Sequence, residues 1–319
     1  MRFKKFLTGS VAFLSAVTLA ACSASSGQNG ETKVGIIQYA EHEALTSTRQ
    51  GFMEALEKAG YKEGDNLKVD LQNAQGDQAN LQTMVEQLSG KNDVNFAIAT
   101  PAAQSLLSVD AETPSVFTAV TDPIAAGLVD SLEKPGGSMT GSTDSADVKG
   151  QLEMLLKVVP NAKTVGIFYN SSEVNSESQA KEAEKILKDK GIKVVIKTVT
   201  TTNDVQQAVT SLAGQVDAIY FPIDTTVAST AGTIGDVLKE AKVPAMGGDN
   251  AVIDAALFTY GVDYHAIGVQ AGELAVDILK GEKPADLAVK APEKASIAVN
   301  EEMAKVLEID PETIKALEK

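Results

Sequence analysis

The sequence predicts an α/β protein of two doubly wound, parallel-sheet lobes joined by a three-crossover hinge. Three observations carry this. Short β-rich runs alternate with helical periodicity from Lys33 onward, a turn cluster at Lys134-Pro135-Gly136-Gly137 interrupts the alternation, and the same alternation then starts again. A chain of 319 residues is long enough to build a core in each half.

In the first half the strands are Lys33 to Tyr39, Leu67 to Leu71, Phe96 to Ala99 and Val116 to Val120. Between them, Ser47 to Ala59 repeats apolar residues at Phe52, Ala55, Leu56 and Ala59 and stops at Gly60, which is helical spacing with a helix stop. Gln78 to Leu88 and Ala102 to Val109 read as the next helices. In the second half the strands are Thr164 to Tyr169, Val194 to Val199 and Ala218 to Ile223, with helices at Val148 to Val158, Ser176 to Lys190, Val205 to Ala213 and Ala231 to Ala241. Leu257 to Val262 is a strand, His265 to Leu279 a helix ending at Gly281, and Ser296 to Val299 a last strand. If that helix packs on the first lobe and that strand on the second, the chain crosses between lobes three times. The expected lobes are 32–145 with 264–288, and 146–263 with 289–319.

Residues 1–21 have the layout of an export leader. Arg2, Lys4 and Lys5 precede an apolar run, Val11 to Leu19, too short for a membrane span, and Ala20-Ala21 supply small residues before Cys22. Cys22 is the only cysteine, and Leu19-Ala20-Ala21-Cys22 resembles the lipobox of bacterial lipoproteins, which implies a diacylglyceryl group on Cys22. The small polar residues at 22–31 then form a flexible tether, and the body works on the extracytoplasmic face of the membrane. Lipidation leaves no thiol for a disulfide or a cysteine nucleophile. The net charge is −15, and loss of the basic leader makes it more negative, so nucleic acid is excluded as a partner.

Catalytic signatures are missing: no phosphate-binding loop, no nucleophile elbow and no dinucleotide fingerprint. His42 and His265, the only histidines, lack metal-ligand spacing, so neither a metal nor a cofactor is expected. His42 follows the first strand and reads more simply as a solvated loop residue than as a cleft ligand; His265 reads as a surface or capping residue.

What the pattern does offer is polar residues just after predicted strands, where open α/β sheets bind ligands. These are Gln38 and Tyr39, Thr100, Thr121 and Asp122, Asn170 and Ser171, Asp224 and Thr225, Asp249, and Asp263. Thr100 followed by Pro101 reads as an N-cap with proline at the first helical position, leaving the Ala102 and Ala103 amides free for an anion. A carboxylate facing such a helix start across a cleft suits a zwitterion: the amides take the carboxylate and an aspartate takes the ammonium.

Several of these segments carry a family resemblance. Thr100-Pro101-Ala102-Ala103, Thr121-Asp122-Pro123, the run Lys134 to Gly141, Tyr169 to Ser176 and Pro222-Ile223-Asp224-Thr225-Thr226 resemble, in order, the TrpX-type substrate-binding lipoproteins of ABC importers. The likeness runs from about Lys33 to the C-terminus. It implies a type I periplasmic-binding-protein fold and a monomeric receptor that captures a small solute, tryptophan or tyrosine, for a permease and its ATPase. By that resemblance Thr100 and the amides of Ala102 and Ala103 hold the α-carboxylate. Asp224 or Asp249 takes the ammonium, Ser171 and Asn175 support from the second lobe, and Tyr39, Tyr169 or Phe221 flanks the side chain. Glu41-His42-Glu43 departs from the family, which often has hydroxyl or histidine residues there. Two other outputs fit a lipid-anchored two-lobed protein: presentation of a solute to a sensor, and a carboxylate-based exported hydrolase.

Overall fold

The structure, a computed structural model, describes residues 30–145 and 147–318. The leader, Cys22 and nearly all of the tether lie outside the described residues.

The first sheet contains β1 (Thr32–Gln38), β2 (Leu67–Asn73), β3 (Val94–Ile98), β4 (Ser115–Val120) and β5 (Met139–Thr143), all parallel in the order β2-β1-β3-β4-β5. Its helices are α1 (Glu43–Lys58), α2 (Gln78–Leu88) and α3 (Thr100–Val109). Strands β3, β4 and β5 are buried along their whole length, as expected for strands covered on both faces. Phe52 of α1 stacks on Phe96 of β3 with ring centroids 3.8 Å apart, tying that helix to the sheet.

The second lobe repeats the plan with α4 (Val148–Val158), β6 (Thr164–Asn170), α5 (Val174–Asp189), β7 (Lys193–Val199), α6 (Val205–Ala213), β8 (Ala218–Phe221), the short α7 (Thr225–Ser229), α8 (Ala231–Ala241) and β9 (Ala245–Gly247). After β10 (Phe258–Val262) the chain enters α9 (Tyr264–Leu279), then β11 (Ala295–Val299), α10 (Glu301–Val306) and α11 (Pro311–Lys315). The sheet order is β11-β10-β9-β8-β6-β7, parallel except for β11, which is antiparallel to β10. Helix α9 joins the apolar core of the first sheet through Ile267, Ala271, Leu274 and Ala275, whereas β11 belongs to the second sheet. The segment between them stays on the first sheet through Lys290, whose N–H donates to Gly141 O at 2.8 Å.

Helices α1 and α9 pack backbone to backbone. A Cβ at Gly51 would overlap the His265 carbonyl, and one at Gly268 would overlap the Thr48 carbonyl. Small residues at the crossing therefore set its depth.

Helices α2, α4, α6 and α8 have the bounds expected from sequence. Asp77 and Asp147 cap α2 and α4 by accepting from Asn80 N and Gly150 N, local signals that need no tertiary help. Helix α1 begins at Glu43, four residues before the expected Ser47, because Leu45 is buried and His42 supplies the extended N-cap. Strand β5 is absent from the expected set: Met-Thr-Gly-Ser-Thr reads as polar, yet every residue is buried. Its hydroxyls are satisfied by partners remote in sequence, Thr140 Oγ1 donating to Leu287 O at 2.7 Å and Ser142 Oγ to Ile267 O at 2.8 Å.

Candidate functional site

Each sheet has one switch point, where the strand order reverses: between β1 and β3 in the first, and between β6 and β8 in the second. Ligands of doubly wound sheets bind outside the strand C-termini at such points. The two switch points face one small cavity. The first lobe supplies His42 and Leu45 after β1, Ala99 and Thr100 after β3, Ala119 from β4 and Asp144 after β5. From the second come Glu173 and Asn175 after β6, Ile223, Asp224, Thr225 and Ala228 after β8, and Asp249 after β9; Tyr264 closes one side from the start of α9. A wider groove lined by Glu41, Glu43, Asp254 and Asp263 adjoins the cavity and shares His42, Ala228 and Tyr264 with it.

The backbone is strained where it meets this space. Ala99 has φ 83° and ψ 154°, and Ala119 has φ 52°, at a register shift between β4 and β5. Alanine in these regions costs on the order of 1–3 kcal/mol, and such strain gathers at binding sites.

Four buried carboxyls line the cavity, and among the described residues no Lys or Arg does. Asp224 accepts from Asn170 N at 2.7 Å and Val227 N at 2.8 Å, so it caps α7. Glu173 accepts from the amides and hydroxyls of Thr225 and Thr226 at 2.6–3.2 Å, and burial followed by the charge of Asp224 raises its pKa. Asp249 accepts from Ala251 N at 2.7 Å and meets Tyr264 Oη at 3.1 Å; burial, then the charge of Asp144, pushes it up to about 7. Asp144 meets the same phenol at 3.1 Å, and burial pushes it up to about 6. Burial also lowers His42 to about 4, so its ring is neutral near pH 7.

Several polar atoms in and beside the cavity are buried without a partner: both nitrogens of His42, Thr100 Oγ1, Thr121 Oγ1, Asp144 Oδ1 and Asn175 Oδ1. Leaving such groups unpaired costs about 1–3 kcal/mol each. Their convergence on one space equips it for a small polar guest that carries both donors and acceptors.

Of the residues expected from sequence, Thr100, Asn175, Asp224, Thr225 and Asp249 meet at the cavity, and half-buried Thr121 has its hydroxyl shut from solvent beside Asp144. The others stand elsewhere. Gln38 is spent on Ala40 O and Arg49, and Tyr39 donates to Gly76 O and lines a neighbouring groove with Thr225 and Thr226 rather than the cavity. Thr100 is the first helical residue and Ala99 the N-cap. The Ala103 amide is therefore used by Ala99 O, and Ala102 and Ala103 are fully buried in the first core. Asp122 caps an exposed turn through Ala125 N, Asp263 is the N-cap of α9 through Ala266 N, and Ser171 faces Val199 O. Tyr169 and Phe221 are core residues; Phe221 meets Phe168 edge-on at 6.3 Å. Tyr264 is the aromatic residue that lines the cavity.

His42 is not a solvated loop histidine: its ring nitrogens are shut away from solvent and face the cavity. Asp144, Glu173 and Tyr264 were also outside the expected set. Asp144 obeys the rule used for the others, a carboxylate just past a strand, but the strand before it was not recognised. Among the described residues there is no cluster fit for a metal ion and no helix long and apolar enough to cross a membrane.

Two α/β lobes that enclose a polar cavity between their switch points define a solute-binding protein. The chain belongs to the ABC transporter substrate binding protein family, whose pattern it matches over residues 33–317. It is 37% identical to the tyrosine-binding protein of Clostridioides difficile strain R20291, over 97% of this chain and 94% of that one. The fold is also that of an ABC domain from Streptococcus pneumoniae in complex with L-Trp, at 36% identity and TM-score 0.84, covering 89% of this chain and 97% of that one. CD0873, a Clostridium difficile substrate binding protein solved in a ligand-free, open form, is 41% identical but superposes at TM-score 0.66, covering 88% and 95%.

Proposed function

We propose that this protein is the receptor of an ABC importer and captures an aromatic amino acid, tyrosine or tryptophan, as a zwitterion between its lobes. The observation that carries the reading is the cavity itself: four carboxyls, no Lys or Arg among the described residues that line it, and the unpartnered Thr100 hydroxyl at the start of α3. Asp249 and Asp144 take the ammonium through charge-assisted hydrogen bonds, and Thr100, Thr121 and neutral His42 serve the carboxylate. The side chain then lies against Leu45, Ile223, Ala228 and the Tyr264 ring, a small apolar wall suited to one aromatic group. Relatives that bind tyrosine and L-Trp support the solute class.

In this reading the lobes, 32–145 with 264–288 and 146–263 with 289–319, close about their three crossovers and present the loaded face to a permease served by a separate ATPase. The chain acts as a monomer held to the membrane by a lipid on Cys22, and it returns its solute unchanged, which separates it from a hydrolase.

The chain contains no tryptophan, so the fluorescence of added L-tryptophan reports its own burial without background. Titration of protein into L-tryptophan is expected to shift the emission to the blue, and L-tyrosine to reverse the shift by competition. No spectral change at millimolar concentration, with no thermal stabilisation by any of the twenty amino acids, would remove the assignment. Chromatography of the recovered solute after long incubation tests the absence of turnover.

A further inference from the structure

One phenol carries one proton. Tyr264 Oη lies 3.1 Å from Asp144 Oδ2 and 3.1 Å from Asp249 Oδ2, so it can donate to only one of them. The second contact is a hydrogen bond only if that carboxyl keeps a proton of its own and donates it to the phenol oxygen. All three side chains are buried, at 2%, 3% and 7% exposure for Asp144, Asp249 and Tyr264. Among the described residues no Lys or Arg lines the cavity they share. The titratable groups across the cavity are Asp224 at the end of β8, Glu173 ahead of α5 and neutral His42 before α1. Two bare carboxylates are not held side by side in such a place without a positive charge between them.

We propose that solute capture is a cation exchange: the Asp144–Tyr264–Asp249 bridge holds one carboxyl proton, and the ammonium group of the solute displaces it into solvent. The step rests on the amino-acid reading above. It balances as one positive charge in for one out: the carboxyl O–H bond breaks, its proton passes to the buffer, and ammonium N–H groups donate to the two carboxylates. Burial raises both carboxyls toward neutrality, which places the exchange in the range where a receptor works. Position favours the bridge as well. Asp144 follows β5 at the first crossover and Tyr264 follows β10 at the second. Groups beside a hinge move least when lobes swing apart, so Asp144 and Tyr264 stay together in an opened cleft, while Asp249 is carried by the second lobe.

Calorimetric titration of the intact protein with L-tryptophan and with L-tyrosine, in buffers of unlike ionisation heat, reads the proton directly. Close to one proton released per solute is expected at about pH 6, falling toward none at about pH 8.5. The dissociation constant should rise about tenfold for each pH unit below about 6, since protons then compete for the site. Asp249→Asn should bind with little release, because its carboxamide brings a permanent donor to the phenol. Proton uptake by His42 could mask the release, so His42→Gln is measured beside the wild type. Tight binding with buffer-independent heat in both overturns the exchange and leaves the amino-acid reading standing, as does full release retained in both Asp144→Asn and Asp249→Asn. No heat with either amino acid at any pH removes the solute class and the exchange with it.

Discussion

Asn175 Nδ2 donates to Ile223 O at 2.8 Å, which pins the start of α5 to the end of β8 and leaves Asn175 Oδ1 buried and unpartnered at the cavity. The bond joins the two strand ends that flank the second switch point. Ser176 Oγ donates to the same carbonyl at 2.9 Å, and Gln179 Oε1 accepts from Ile223 N at 2.8 Å, so the anchor has three fixings and the acceptor is held ready.

Replacement of Asn175 by alanine separates these two roles. The anchor survives through Ser176 and Gln179, so unfolding stability should fall by no more than about 1 kcal/mol. Loss of an acceptor for a charged guest is expected to weaken L-tryptophan binding by about 1.5–3 kcal/mol, roughly ten- to a hundredfold. Fluorescence titration beside urea denaturation measures both, and equal losses in the two would contradict the assignment.

Ala99 at the end of β3 occupies a region of backbone space that belongs to glycine. Relief of strain worth on the order of 1–3 kcal/mol exceeds the entropy glycine adds to the unfolded chain, about 0.5–1 kcal/mol. Ala99→Gly should therefore stabilise the protein by about 1 kcal/mol, and Ala99→Val should destabilise it. A thermal melt of the two variants with the wild type decides.

Gly268 and Gly232 are both helical glycines, yet they should respond in opposite directions. A side chain at Gly268 collides with the Thr48 backbone at the α1–α9 crossing, whereas a Cβ at Gly232 in α8 meets nothing within 4 Å. Gly268→Val is expected to cost about 3 kcal/mol or more by forcing the helices apart. Gly232→Ala should add about 0.5–1 kcal/mol through helix propensity alone. Urea midpoints of the two variants give the comparison.

Buried carboxyls also set the pH profile of stability. Asp144 and Asp249, pushed up to about 6 and about 7, keep protons in the fold that an unfolded chain releases near pH 4. Their contribution is complete below that value and is lost as pH rises through about 6 to 7, at up to roughly 1.4 kcal/mol per unit for each proton. The melting temperature without solute should fall between about pH 5 and pH 8, and Asp249→Asn should flatten the fall. A melting temperature that climbs over that interval would count against these assignments. Asp217 acts in the opposite direction: the Lys163 and Thr164 amides hold it low, and that stability disappears only as pH drops below its ordinary range.

The alternation of strands and helices was legible in the residues because its signals are local. Asp77 and Asp147 cap their helices from one turn away, and the apolar spacing of α6 and α8 repeats within a few residues. The same locality explains the misses. Strand β5 has polar residues whose partners, Thr118, Ile267 and Leu287, come from other parts of the chain, so no window of sequence could show that Thr140 and Ser142 are satisfied. With β5 went Asp144, one of the two carboxyls that meet Tyr264.

Sequence by itself determined that polar residues would crowd the strand ends of two doubly wound lobes, since that follows from periodicity, caps and turn residues. Which of them face the cavity was decided only by the tertiary structure. Asp249 and Asp263 both follow strands and both cap the next helical segment, yet Asp249 is buried against Tyr264 while Asp263 lies in the outer groove. A cap is a bond to the next few amides and is the same in either place. Desolvation, which raises a carboxyl and gives it a guest to hold, arises only when the second lobe folds over the first.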